Sequence, residues 1–169
     1  RTETFASTVR SLLIKSEIAV LALNLYRWLK AARLEVTTGE IDFSSAPRVL
    51  PDAEESDRIV AEHAERFVPL YEGRLRHLLE ITESAGILPI VLTHPMVFGA
   101  PKDPTTGLFL NDIETHPRDG GTRWRVLQKY NEATHRVAAE SETPVIDLAS
   151  LMPKDSKYFY DDVHFTVAG

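Results

Sequence analysis

Residues 158–169, YFYDDVHFTVAG, place Asp161 three positions ahead of His164 among aromatic side chains. One turn of chain brings side chains at that spacing together. The carboxylate can then fix the tautomer of the imidazole and steady the imidazolium formed when the ring takes a proton. Such a pair serves as the base of a nucleophilic mechanism, provided a hydroxyl lies within reach. Surface turns in which an acid happens to precede a histidine show the same spacing. Asp162 reads as a turn or capping acid, and it is the neighbour most easily confused with Asp161 in the acid's role.

The other histidines are more dispersed. His94, between Thr93 and Pro95 at the end of an apolar run, either lines a substrate pocket or bonds to backbone where a strand ends. His63, His77 and His135 fall on predicted helices, where a solvated or satisfied imidazole is the default, and His116 sits in a polar loop near Asp112 and Asp119. A metal site drawn from His94, His116 and Asp161 or His164 lacks a ligand spacing such as His-Glu-x-x-His, which places a metal-dependent hydrolase behind serine chemistry.

These groups must be carried by helices and strands that the hydrophobic pattern lays out. Ile14, Ile18, Leu21, Leu25 and Leu29 recur at helical steps and predict a helix running to about Ala32. Residues 35–51 read as a connection. The acidic run 52–57 then opens a second helix carrying Ile59, Val60, His63 and Phe67 on one side; Pro69 should kink or restart it, and Gly86 should stop it. GILPIVLTHP, 86–95, and TPVIDLAS, 143–150, are short apolar runs entered through proline, the pattern of strands buried on both faces. Between them lie a long polar loop, 96–121, and a helix expected to start at a Thr122 cap and to bury Trp124, Leu127, Tyr130 and Val137.

Composition narrows the classes. The chain has 169 residues, 43% of them hydrophobic, enough for one domain, and its formal charge of −6 disfavours nucleic acid and anionic lipid as partners. Cysteine is absent, which excludes disulfides and thiolate metal sites. The most apolar stretch, 18–29, is far shorter than the roughly 20 residues a bilayer span needs.

Alternating helices and buried strands predict an α/β fold with parallel strands. Two such strands leave unpaired edges, so earlier strands are expected upstream of Arg1 or from another polypeptide. The order GILPIVLTHP, QKYNEATHRVAAESETPVIDLASLM, YFYDDVHFTVAG resembles the C-terminal part of the SGNH hydrolases, the GDSL esterases and lipases, over roughly residues 70–169. Its most specific piece is Asp161-x-x-His164 followed by Gly169.

The resemblance implies a single three-layer α/β/α domain of flavodoxin-like kind over 1–169, incomplete at both ends and lacking its N-terminal strands. It implies that Asp161 and His164 are the acid and base of a Ser-His-Asp triad that hydrolyses a carboxylic ester without metal or organic cofactor. The family's Gly-Asp-Ser block and its oxyanion-hole glycine and asparagine have no counterpart here. Ser44, in IDFSSAP, reads as a turn residue. The serine is therefore expected upstream of Arg1, in the same protein or a companion chain. The polar loop 96–121 does not resemble an acyl channel, which favours a small ester with a short acyl group on a polar alcohol or sugar, and His94 would line the substrate site. The alternative is a noncatalytic binding or assembly module that keeps the acid–imidazole edge without a nucleophile.

Overall fold

A computed structural model describes Leu21, Leu25, Tyr26, residues 41–114 and residues 118–169. The chain divides into two compact units, Arg1–Gly39 and Glu40–Gly169. In the first, Leu21, Leu25 and Tyr26 are helical and exposed; the rest of the helix expected to run to Ala32 lies outside the described residues.

The second unit opens its helical part with α1 (Ala53–Glu62), capped by Asp52, whose Oδ1 accepts the Glu54 and Glu55 N–H groups at 3.0 and 3.2 Å. At Pro69 the helix does not break. It passes through a π-helical turn, His63–Phe67, and continues as α2 (Val68–Ser84). Proline lacks an N–H and its ring crowds the carbonyl four residues back. The wider turn just before it, closed by Val68 N–H on the His63 carbonyl, gives that ring room. Gly86, at φ 74°, ends α2 as the sequence predicts, and Ile87 N–H returns to the Thr82 carbonyl at 3.1 Å.

The next long helix, α3 (Gly120–Glu140), starts earlier than the expected Thr122 cap. Asp119 is the cap instead, its Oδ1 taking the N–H and its Oδ2 the hydroxyl of Thr122 at 2.7 and 2.6 Å. Gly120 fits where little else would, since a Cβ there would lie 2.7 Å from the Phe98 ring and 2.8 Å from the Leu110 carbonyl oxygen. The two helical runs lie side by side and parallel, joined in order by Ser56–Thr122 at 2.6 Å, His63–Tyr130 at 3.0 Å, Tyr71–Thr134 at 2.8 Å and Arg76–Glu140 at 2.8 Å.

Each run leads into one strand, α2 into β1 (Val91–Leu92) and α3 into β2 (Val145–Ile146), which is followed by the short α4 (Leu148–Leu151). The strands pair in parallel, Val91 with Val145 and Leu92 with Ile146, through Val91 N–H to the Pro144 carbonyl at 3.0 Å and Thr93 N–H to the Ile146 carbonyl at 3.1 Å. The result is a mixed α/β unit built on a parallel strand pair.

Two expectations need correction. The strands are shorter than the apolar runs and are not buried on both faces. Leu88 is 78% and Leu92 52% exposed, and Ile87, Ile90 and Ile146 are exposed with them, because among the described residues nothing pairs with β1 beyond β2. The loop expected to be polar is, conversely, the best-packed part of the unit. Met96, Val97, Phe98, Leu110 and Ile113 form the buried cluster with Phe43 and Phe159. Asp103 ties this loop both to itself and to the chain near Ser156. Buried Asp103 accepts Thr106 N–H at 2.8 Å, the Thr106 hydroxyl, and the N–H and hydroxyl of Ser156 at 2.8 Å each.

Candidate active site

Asp161 and His164 sit in a tight reversal of the chain. Phe159 and Phe165 bridge its two sides, with rings 5.3 Å apart, and Tyr160 N–H reaches the His164 carbonyl at 3.1 Å. Inside it Asp161 Oδ1 accepts the N–H groups of Val163 at 2.9 Å and His164 at 2.7 Å, while Oδ2 lies 2.7 Å from His164 Nδ1. Partial burial pushes the Asp161 carboxyl up, but those two N–H groups and the imidazole outweigh it and hold the carboxyl below its ordinary value. An ionised carboxylate only accepts, so Nδ1 carries a proton, and in the neutral ring Nε2 is the nitrogen with the lone pair. The acid side chain is 13% exposed and the imidazole 58%. Tyr160 stacks on one face of the ring, centroids 5.6 Å apart. A fixed acid thus holds an accessible base, with Nε2 free of partners among the described residues.

Three contacts pin this reversal to the rest of the unit. Ile41 N–H donates to the Tyr160 carbonyl at 2.7 Å, and Val97 N–H, on the chain leaving the carboxyl end of β1, donates to the Asp162 carbonyl at 3.0 Å. The Asp162 side chain is buried, and its Oδ2 meets Arg123 Nη2 of α3 at 2.5 Å in a largely buried ion pair. Asp162 therefore anchors the loop and Asp161 holds the histidine. Nothing local in the sequence joins Arg123 to Asp162, so that pair was not legible there.

His94 lies just past β1, exposed. Asn131 of α3 clamps its backbone, accepting its N–H at 2.8 Å and donating to its carbonyl at 2.9 Å, and Nδ1–H is directed to the Pro95 carbonyl at 2.8 Å. Among the described residues no hydrogen bond or ring contact joins His94 to Asp161 or His164. Ser44 forms a turn, its N–H and hydroxyl both on Asp42 Oδ1 at 2.9 and 2.5 Å. His116 lies outside the described residues, and among those described no three His, Asp or Glu side chains converge as metal ligands. No helix among the described residues is long and apolar enough to cross a membrane.

A second cluster escaped the sequence analysis. Lys154 Nζ lies 3.2 Å from the centroid of the Trp124 ring and donates to the Met96 carbonyl at 2.7 Å. Asp147, at the carboxyl end of β2, accepts the Ser150 and Thr93 hydroxyls at 2.5 and 2.7 Å, and these hold its carboxyl below the ordinary value. No family model, curated protein or solved structure matches the chain.

Proposed function

We propose that this chain carries the acid and the base of a serine esterase of the SGNH type, a three-layer α/β/α hydrolase acting on a small carboxylic ester. The observation that carries the proposal is the Asp161–His164 bond at 2.7 Å, with the acid ionised and Nε2 open. His164 Nε2 takes the proton of a serine hydroxyl as its oxygen attacks the ester carbonyl, and returns it to the alcohol as the tetrahedral intermediate collapses. Water then attacks the acyl-enzyme by the same route. Asp161 keeps Nδ1 protonated throughout and stabilises the imidazolium.

The serine is expected on a strand that pairs with the open edge of β1. Val91 and Thr93 turn their N–H groups to β2, so the backbone groups of Leu92 point the other way, and among the described residues they have no partner. A parallel strand added there would end at the same carboxyl edge from which Thr93 and His94 lead to the site loop. The short acyl group and polar or sugar alcohol are favoured by the loop after β1, in which Met96, Val97, Phe98, Leu110 and Ile113 are taken up by the core.

In the full-length protein, His164→Ala should abolish hydrolysis of p-nitrophenyl acetate with an unchanged circular dichroism spectrum. Asp161→Asn should lower kcat about ten-thousand-fold, by favouring the wrong tautomer. Fluorophosphonate labelling should modify a serine upstream of Arg1 or in a companion chain, and mapping of the labelled peptide identifies it. Full turnover in His164→Ala would remove the imidazole from the mechanism. One observation favours the noncatalytic alternative, a binding or assembly module: none of the described serines bonds to His164. Absence of both labelling and turnover selects that module.

A further inference from the structure

On the side of α3 that faces the chain after β2 lies a cavity of about 360 Å³, lined by Trp124, Asn131, His135, Asp147, Met152 and Lys154 among others. Its charges are unequally matched. Glu132 is paired with Lys129 at 3.0 Å, and Asp147 has His135 at 3.6 Å in addition to its two hydroxyl donors. The Lys154 ammonium has a carbonyl and an aromatic face, but among the described residues no carboxylate within ion-pair distance. Burial pushes its pKa down to about 8, the mark of a cation held partly out of water without an anion to compensate it.

We propose that this cavity binds a small monocarboxylate, the carboxylate on Lys154 Nζ and the apolar body against Trp124, Ala149 and Met152. One N–H of the ammonium is committed to Met96, so others remain for a ligand oxygen. A single cation suits a single negative charge. The Glu132 and Asp147 carboxylates in the same wall repel a second charge and so discriminate against phosphate. The apolar wall selects a ligand with a hydrocarbon part over a bare inorganic anion. The inference stands apart from the esterase proposal, since no residue of the 158–169 segment lines the cavity.

Trp124 lies next to the ammonium, so an emission change that is lost in Trp124→Phe reports on the cavity. Titration of the full-length protein with sodium butyrate should change its emission saturably. In Lys154→Met, which keeps the apolar stem, binding measured by calorimetry should weaken about tenfold or more, the loss of one charge-assisted hydrogen bond. Lys154→Arg, if it folds where Lys154→Met does not, should retain binding. Neutral n-butanol should show no saturation. Butyrate binding equal in wild type and Lys154→Met, no butyrate binding at all, or preference for inorganic phosphate would each overturn the proposal.

Discussion

Residues 86–92 and residues 96–113 are neighbours in sequence and opposites in packing. The first are almost wholly apolar, yet Ile87, Leu88, Ile90 and Leu92 stand in solvent. The second abound in turn and polar residues, yet Val97, Phe98, Ile113 and Asp103 are fully enclosed. The difference lies in what each segment finds to pack on. A strand buries its side chains only when other strands and a covering layer surround it, whereas this loop is tied to Ser156 through Asp103 and packs on Phe43 and Phe159. The site loop is attached to this enclosed region, through Phe159 in the cluster and Val97 N–H on the Asp162 carbonyl, whereas among the described residues the strand pair has an open edge.

That contrast can be tested by mutation, beginning with the largest effect. Phe98→Ala should cost about 3–5 kcal/mol in urea unfolding, because its ring fills the loop core; a cost near zero would dissolve the contrast. Leu92→Asp in the full-length protein should cost about 2–3 kcal/mol if a further strand covers β1, whereas a cost within about 0.5 kcal/mol would mean the edge is open in solution and the proposed pairing fails.

Asp162→Asn should reduce stability by up to about 3 kcal/mol through loss of its largely buried ion pair with Arg123, whereas Asp161→Asn should act mainly on turnover. A reversed ranking would exchange their roles.

Strong acid should loosen the loop core. Burial pushes the Asp103 carboxyl up, but the Thr106 and Ser156 donors prevail and hold it below its ordinary value. Its stabilising contribution is therefore complete above the unfolded carboxyl's pKa of about 3.9 and is lost as pH falls through the lower folded value. Wild type should lose stability below about pH 4 more steeply than Asp103→Asn, a difference that urea melts across pH 2–6 would register.

What the sequence revealed was local. Asp161 and His164 meet because three residues of chain bring them together, and Asp52 and Gly86 act within a turn of their own positions. Strand pairing of 91–92 with 145–146 followed from two apolar runs each preceded by a helix. Features set by distant partners were hidden. Asp119 displaced Thr122 as a cap because Thr122 is needed against Ser56, the loop core depends on Asp103 finding Ser156, and Lys154 gains meaning only beside Trp124.

The wide turn at His63–Phe67 also keeps the long helix in phase. An unbroken α-helix advances about 100° per residue, which would put Leu79 about 100° away from Val60 around the axis. Absorbing one residue in the turn restores the alignment, and both side chains are buried. Removing a residue there would straighten the coil without rotating its lower half, whereas removing one after Phe67 would swing Leu79 outward and bring Glu80 into its buried place.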